Sequence, residues 1–362
     1  MAKRTVEINY MQGNQACAEG AVQAGCNFFA ANPGSPYNEI LKEMAKRMQE
    51  TGGIFLQMED ETSSIASCIG ASMTGKKVMT ATSGNGLSLM SDNLGFALAS
   101  QTPCVIVDVQ HAGPSMGQIT RTAQGDIQQA RWAASGDYEL IVLSPWSAQE
   151  MYDLTIDGFN LSEKFNVPVL ILADETIGHI FEKIKFRKNI VLVNRHKKHL
   201  GQGLNLSITG FTHDGEGNPK PIDPKAQADL VNALSEKISS NLKQIIKVEE
   251  QNTQNADVVL VACGSCARSA MDVVLKSNKE GLKTGLLRLV TLWPFADEEV
   301  AKLAGKKVVV VELNKGQLAR EVKRVLKNKV YSLSKTNGEL VTPSEIIDFI
   351  TCLPAGRKEY RA

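Results

Sequence analysis

Between residue 14 and about residue 180, short apolar runs alternate with longer amphipathic stretches, and this alternation leaves few architectures open. The runs Asn27 to Ala31, Ile54 to Met58, Val78 to Thr82, Cys104 to Val109, Leu140 to Leu143 and Val167 to Leu172 read as strands bounded by turn signals. Tyr37 to Gln49, Thr62 to Thr74, Leu87 to Ala99 and Ala148 to Phe165 carry helical patterns between them. Mostly apolar strands separated by helices predict a parallel sheet covered on both faces. Sites in such sheets gather at the carboxyl ends of the strands.

A change of composition follows. Arg187 to Lys225 is rich in glycine, proline and charge, with His196-Lys197-Lys198-His199 and the run Asp214 to Pro224, and it reads as a linker or excursion. A helical stretch from Ala226 to Glu250 leads into a second alternating block with strands at Val258 to Ala262, Leu286 to Val290, Val308 to Leu313 and Val330 to Leu333. Its last helix is marked by Thr342-Pro343-Ser344-Glu345, an N-cap, a proline at the first helical position and a capping-box glutamate. The expectation is two parallel-sheet α/β domains, at 1–185 and 256–362, joined by an irregular segment at 186–255.

Lysine plus arginine number 40 and aspartate plus glutamate 39, so there is no basic field to collect nucleic acid. No apolar run approaches the roughly 18 residues of a membrane helix, and Met1-Ala2-Lys3-Arg4 opens no signal-peptide core, so a soluble cytoplasmic protein is expected. The 7 cysteines are scattered, which suits reduced core thiols. Cys263-Gly264-Ser265-Cys266 has CxxC spacing, but no second pair completes a metal or cluster site, and small packing residues at a strand-to-helix turn are the simpler reading.

No Walker loop, HExxH, GxSxG or acid-followed GxGxxG occurs. The chemistry is therefore sought in four strand-end loops. In Gln57-Met58-Glu59-Asp60-Glu61 a strand ends in three acids, which on their own are equally a helix start that offsets the macrodipole, with Asp60 as N-cap. Asn32-Pro33-Gly34-Ser35-Pro36 is a proline-stiffened turn, Ser83-Gly84-Asn85-Gly86 a tight turn at a helix start, and Gln110 to Asp126 a long polar loop after a buried strand.

Several segments together resemble the alpha subunit of 2-oxoacid:ferredoxin oxidoreductases, with the 2-oxoglutarate type nearest. They are residues 13–26, Gln57 to Glu61, Met79 to Gly84, Pro103 to Val107, Gln124-Gly125-Asp126, Ala130-Arg131-Trp132, Leu143-Ser144-Pro145, Leu286 to Phe295 and Glu312 to Leu318. The likeness runs in order through nearly the whole chain. It implies a thiamine-diphosphate pyrimidine-type domain followed by a transketolase C-terminal-like domain. It also implies that Glu61, nine and ten residues before Gly70-Ala71, meets N1′ of the aminopyrimidine. A carboxyl sharing a proton there favours the imino tautomer, whose nitrogen can take the C2 proton.

The same resemblance puts Pro33 and Ser35 beside the cofactor, where the family usually has Pro-Ile-Thr-Pro and serine keeps the hydroxyl. It puts Gly84 and Asn85 near the ring. It implies that His111, Ser115 and Arg121 face the substrate. The family's Arg-Gly-Gly-Pro-Ser-Thr-Gly is altered twice, with His111 for the arginine and Met116 for the threonine, which leaves the identity of the 2-oxoacid open. Arg121 is the candidate replacement cation.

Thiamine enzymes hold Mg2+ and the diphosphate with Gly-Asp-Gly and a later asparagine, and this chain lacks Gly-Asp-Gly as well as the cysteines for iron-sulfur clusters. The resemblance therefore implies a beta subunit with the Mg2+ and diphosphate motif, a gamma-type subunit and a ferredoxin-like subunit carrying clusters. It also implies electrons passing to ferredoxin and the acyl group to coenzyme A. The rival readings are a subunit of a non-oxidative thiamine lyase or transferase, and a non-catalytic α/β adapter.

Overall fold

The computed structural model describes residues 8–353 apart from 197, 204–205, 278–281 and 328, so Met1 to Arg4 and Lys197 lie outside the described residues. The strands in chain order are β1 (Ile8–Gln12), β2 (Phe28–Ala31), β3 (Ile54–Gln57), β4 (Val78–Thr82), β5 (Cys104–Ala112), β6 (Gln118–Thr122), β7 (Ile141–Leu143) and β8 (Pro168–Asp174). They continue with β9 (Phe181–Lys185), β10 (Val248–Gln251), β11 (Val258–Ala262), β12 (Thr284–Leu289), β13 (Thr291–Trp293), β14 (Lys307–Glu312) and β15 (Val330–Ser334).

The larger sheet runs β13-β7-β8-β5-β4-β2-β3, with β6 folded back on β5. From β7 to β3 all pairings are parallel, as the strand-helix alternation predicts. All nine residues of β5 are buried, so it forms the spine of the core. The smaller sheet runs β10-β12-β11-β14-β15, parallel except for β10. β1 and β9 form a separate antiparallel ribbon.

The helix Ala148–Phe165 lies where its periodicity puts it, with Ser147 capping the Glu150 N–H at 3.1 Å and Asn166 closing it in the left-handed region. It packs on Gly13–Gln23 through Gly20, where any β-carbon would strike the Tyr152 carbonyl. The closing helix Pro343–Thr351 carries the expected capping box from Thr342 and Glu345.

Three readings change. The helix expected over Leu87 to Ala99 is two, Gly84–Leu89 and Ser91–Ala99. The stretch Ala226 to Glu250 is a helix Pro224–Ser239 capped by Asp223, a turn of helix Leu242–Ile245, and then β10. Immediately after β12 the chain crosses to the larger sheet, where β13 lies antiparallel against β7.

The irregular segment is pinned to the larger sheet's layer. Arg187 binds Asp153 at 2.6 Å and Asp157 at 2.7 Å. Arg195 pairs with Glu163 at 2.5 Å and donates to the carbonyls of Ser72 and Lys76.

Between the two sheets, buried Gln124 donates through Nε2 to the Asp174 carboxylate (3.1 Å) and the Cys263 carbonyl (3.0 Å), while its Oε1 accepts from Leu313 N (3.2 Å). Asp174 also accepts from Ser265 N at 2.6 Å. Arg288, fully buried, stacks on Trp146 and pairs with Glu150 and Glu249. Cys263 and Cys266 are buried and burial pushes both thiols up, so they are poor nucleophiles. Among the described residues no helix is long and apolar enough to cross a membrane.

Candidate active site at the strand ends

The three acids after β3 take three different places. Glu59 is exposed. Asp60 is the N-cap of the helix Glu61–Met73: its Oδ1 accepts from Ser63 N at 2.6 Å, which holds its carboxyl below the usual range. Glu61, the first helical residue, is buried at 8% exposure. Its carboxyl faces the helix Gly84–Leu89, where a β-carbon on Gly86 would collide with Thr82 Oγ1 and lie 2.8 Å from Glu61 Oε1. Glycine is what lets that helix rest on the acid.

Tyr37, which the sequence marks only as the start of a helical pattern, completes this corner. It is buried beneath Gly34, whose β-carbon position its hydroxyl occupies. Burial first, then the negative charge of the neighbouring Glu61, raises the phenol far above its ordinary range. The hydroxyl therefore keeps its proton and remains a donor beside the Glu61 carboxyl.

A second group adjoins the first. Asn85 Oδ1 accepts from Ser83 Oγ at 2.9 Å and lies 3.4 Å from His111 Nε2, while its Nδ2 lies 3.5 Å from Met116 Sδ. His111 is buried, its Nδ1 has no hydrogen-bond partner among the described residues, and burial lowers its pKa, so the imidazole is neutral at neutral pH. The Asp126 carboxylate sits 2.5 Å from where a β-carbon on Gly84 would be, and its backbone N–H donates to Gln110 Oε1 at 3.0 Å.

These contacts bring Glu61, Gly84, Asn85 and His111 into one region. Pro33 and Ser35 are exposed on the turn above it, and the turn reaches the buried corner through Gly34 rather than through either of them. Ser115 is exposed with φ 55°, at the tip of the β5-β6 connection. Arg121, exposed on β6, lies against Gly338 of the other sheet's layer, where a β-carbon would be 2.8 Å from Arg121 Cβ. Tyr37, Asp108 and Asp126 were missed, although a lone acid inside Val105-Ile106-Val107-Asp108-Val109 is a signal visible in sequence.

A buried acid at a helix start thus faces a glycine-bearing helix beside the carboxyl ends of a parallel sheet, where α/β enzymes gather their sites. Residues 19–214 match the family described as pyruvate flavodoxin/ferredoxin oxidoreductase, thiamine diphosphate binding, and residues 256–346 match pyruvate:ferredoxin oxidoreductase core domain II. The 2-oxoglutarate synthase subunit KorA of Methanocaldococcus jannaschii is 46% identical over 94% of this chain and 98% of its own length. The ketoisovalerate oxidoreductase subunit VorB of Methanothermobacter marburgensis is 34% identical over 86% of this chain and 88% of its own.

Among solved structures, the 2-oxoglutarate:ferredoxin oxidoreductase from Magnetococcus marinus, with 2-oxoglutarate, coenzyme A and succinyl-CoA bound, superposes with a TM-score of 0.89. It is 32% identical over 96% of this chain, which spans 66% of that one. The chain belongs to the pyruvate flavodoxin/ferredoxin oxidoreductase family, as an alpha-type subunit of the 2-oxoacid:ferredoxin oxidoreductases. The resemblance read from the sequence and the α/β fold it implied both hold.

Proposed function

We propose that this chain activates the aminopyrimidine of thiamine diphosphate in a cytoplasmic complex that oxidatively decarboxylates a 2-oxoacid of the 2-oxoglutarate type or a close relative. Electrons pass to ferredoxin and the acyl group to coenzyme A. The observation that carries this reading is the burial of Glu61, alone among the three acids Glu59, Asp60 and Glu61, against a glycine-bearing helix and a proton-bearing Tyr37.

When bound, the cofactor supplies a carbon nucleophile toward the 2-oxoacid carbonyl. In this reading Glu61 holds a proton at N1′ of the ring, and the Tyr37 hydroxyl orients the Glu61 carboxyl. Pro33, Ser35, Gly84 and Asn85 border the ring. His111, Ser115 and Arg121 serve the substrate end, and a neutral His111 is a donor suited to one carboxylate oxygen, weaker than the bidentate arginine it replaces.

Mg2+, the diphosphate grip and the iron-sulfur clusters are assigned to partner subunits: a beta subunit, a gamma-type subunit and a ferredoxin-like subunit. The functional division proposed is 1–185 for pyrimidine binding, 186–255 as connector and 256–362 as the transketolase C-terminal-like domain.

The test is the native complex carrying Glu61→Gln, assayed with a panel of 2-oxoacids and a viologen acceptor. Turnover should nearly vanish while assembly persists, and full activity in that variant would sink the reading. A brown complex active with 2-oxoglutarate separates the oxidoreductase from a colourless thiamine lyase.

A further inference from the structure

Asp108 lies in the middle of β5, fully buried, and among the described residues neither of its carboxyl oxygens has a hydrogen-bond partner. It is paired in register with Thr82 of β4 and Leu172 of β8, and paired residues of parallel strands share a face. Thr82 supplies the hydroxyl that a β-carbon on Gly86 would strike, so this face looks toward the helix Gly84–Leu89 that rests on Glu61. Asp108 is thus a polar group buried under the candidate site, and the chemistry outlined above makes no use of it.

Its charged and titratable surroundings are acids and a phenol. Asp126 bears on it from the turn before the helix Ile127–Trp132, and its carboxylate crowds Gly84. Tyr37, at the turn before Asn38–Thr51, lies within electrostatic reach of both the Asp108 and Glu61 carboxyls. His111 stands three residues further along the same strand. Among the described residues no lysine or arginine pairs with Asp108, and an ionised carboxylate with neither cation nor donor is not tolerated at full burial. Burial first, then the Asp126 charge, raises its pKa well above the ordinary carboxylate range, and burial lifts Asp126 to about 6.

We propose that Asp108 is a positioning residue of the Glu61 site, a neutral carboxylic acid that supports the start of the helix Gly84–Leu89 without adding negative charge beside Glu61 and Tyr37. This rests on the reading of Glu61 as the ring-activating acid. Ionising Asp108 would place a buried, unpaired negative charge on the face of the sheet that looks toward this helix. The proton on Asp108 is therefore part of the site's geometry.

Two measurements test it. The first is thermal unfolding of the full chain and of Asp108→Asn across pH. The folded state keeps a proton that the unfolded state releases, so wild-type stability falls as pH rises above the unfolded carboxylate range, whereas asparagine cannot ionise. The Tm advantage of Asp108→Asn should widen between acidic and mildly alkaline pH by roughly 3 °C or more. A gap that is constant or narrows with pH shows an ionised Asp108 and overturns the proposal.

The second is the pH profile of the assembled complex. Asp108→Ala should lower kcat/KM at least about tenfold, Asp108→Asn should recover it to within about threefold, and its alkaline limb should move to higher pH. Failure of Asp108→Asn to rescue, or an unmoved alkaline limb, rejects the positioning role. The unfolding measurement involves no catalysis, so it stands apart from Glu61→Gln, which tests the thiamine reading itself.

Discussion

Glu61 and Gly86 share one small volume: a β-carbon on Gly86 would lie 2.7 Å from Glu61 Cγ and 2.8 Å from its Oε1. The Thr82 hydroxyl, fixed on a buried strand, closes the other side. Gly86→Ala must therefore shift either the helix or the acid. Overpacking of this kind costs about 1–3 kcal/mol, and the loss of alignment should lower kcat/KM of the complex by at least about tenfold with the circular dichroism spectrum preserved. Wild-type kinetics in that variant would show that the corner is not used.

His111 gives a pH-dependent prediction. Burial lowers its pKa, so it is neutral at neutral pH and gains its charge only as pH falls through that depressed value. If its imidazole meets the substrate carboxylate, KM for the 2-oxoacid falls as the medium is acidified. His111→Arg should remove that dependence and lower KM by roughly tenfold at neutral pH, since a guanidinium binds carboxylate in two places and keeps its charge. Steady-state KM against pH for both proteins decides this.

Gln124→Ala tests the joint between the sheets. It removes the Gln124 donor to Asp174 and Cys263 and leaves Leu313 N without an acceptor, all in buried surroundings. Buried groups left unpaired in this way cost about 1–3 kcal/mol each, so Tm should fall by several degrees, which calorimetry reads directly.

Arg195→Gln tests whether the connector is structural. The Arg195 and Glu163 side chains are 8% and 4% exposed, and removing one partner strands a buried charge at a cost of about 3–5 kcal/mol. Faster proteolysis of the segment around residues 187–225, together with a lower Tm, is the expected result.

The legible parts of the fold were those set by local pattern. The buried strands of both sheets were readable because their apolar runs are flanked by turns, and Ala148–Phe165 because its caps and period agree. What escaped was set by tertiary contacts. β10 continues a helical pattern and becomes a strand only because β12 offers an edge, and β13 has just three residues. At the site, the acid triplet and its loops were visible, but which acid is buried depends on where the helix begins. Tyr37 enters the proposed site only through its place beside Glu61, about which sequence spacing carries no information. Arg121, the cation of the same loop, lies on the hairpin of β5 and β6 with its Cβ beside Gly338, a neighbour distant in the chain that sequence spacing does not show.

The crossing of β13 bears on how far this protein is modular. The last strand of the larger sheet is supplied from residues 291–293, far along the chain from the rest, and it covers the edge of β7. A fragment ending before it would present an uncovered strand of three fully apolar residues, Ile141-Val142-Leu143, an edge of the kind that recruits foreign strands. Gene fusions, splits or truncations of such a subunit are thus constrained to cut outside the span from β7 to β13, or else to carry a surrogate strand with them.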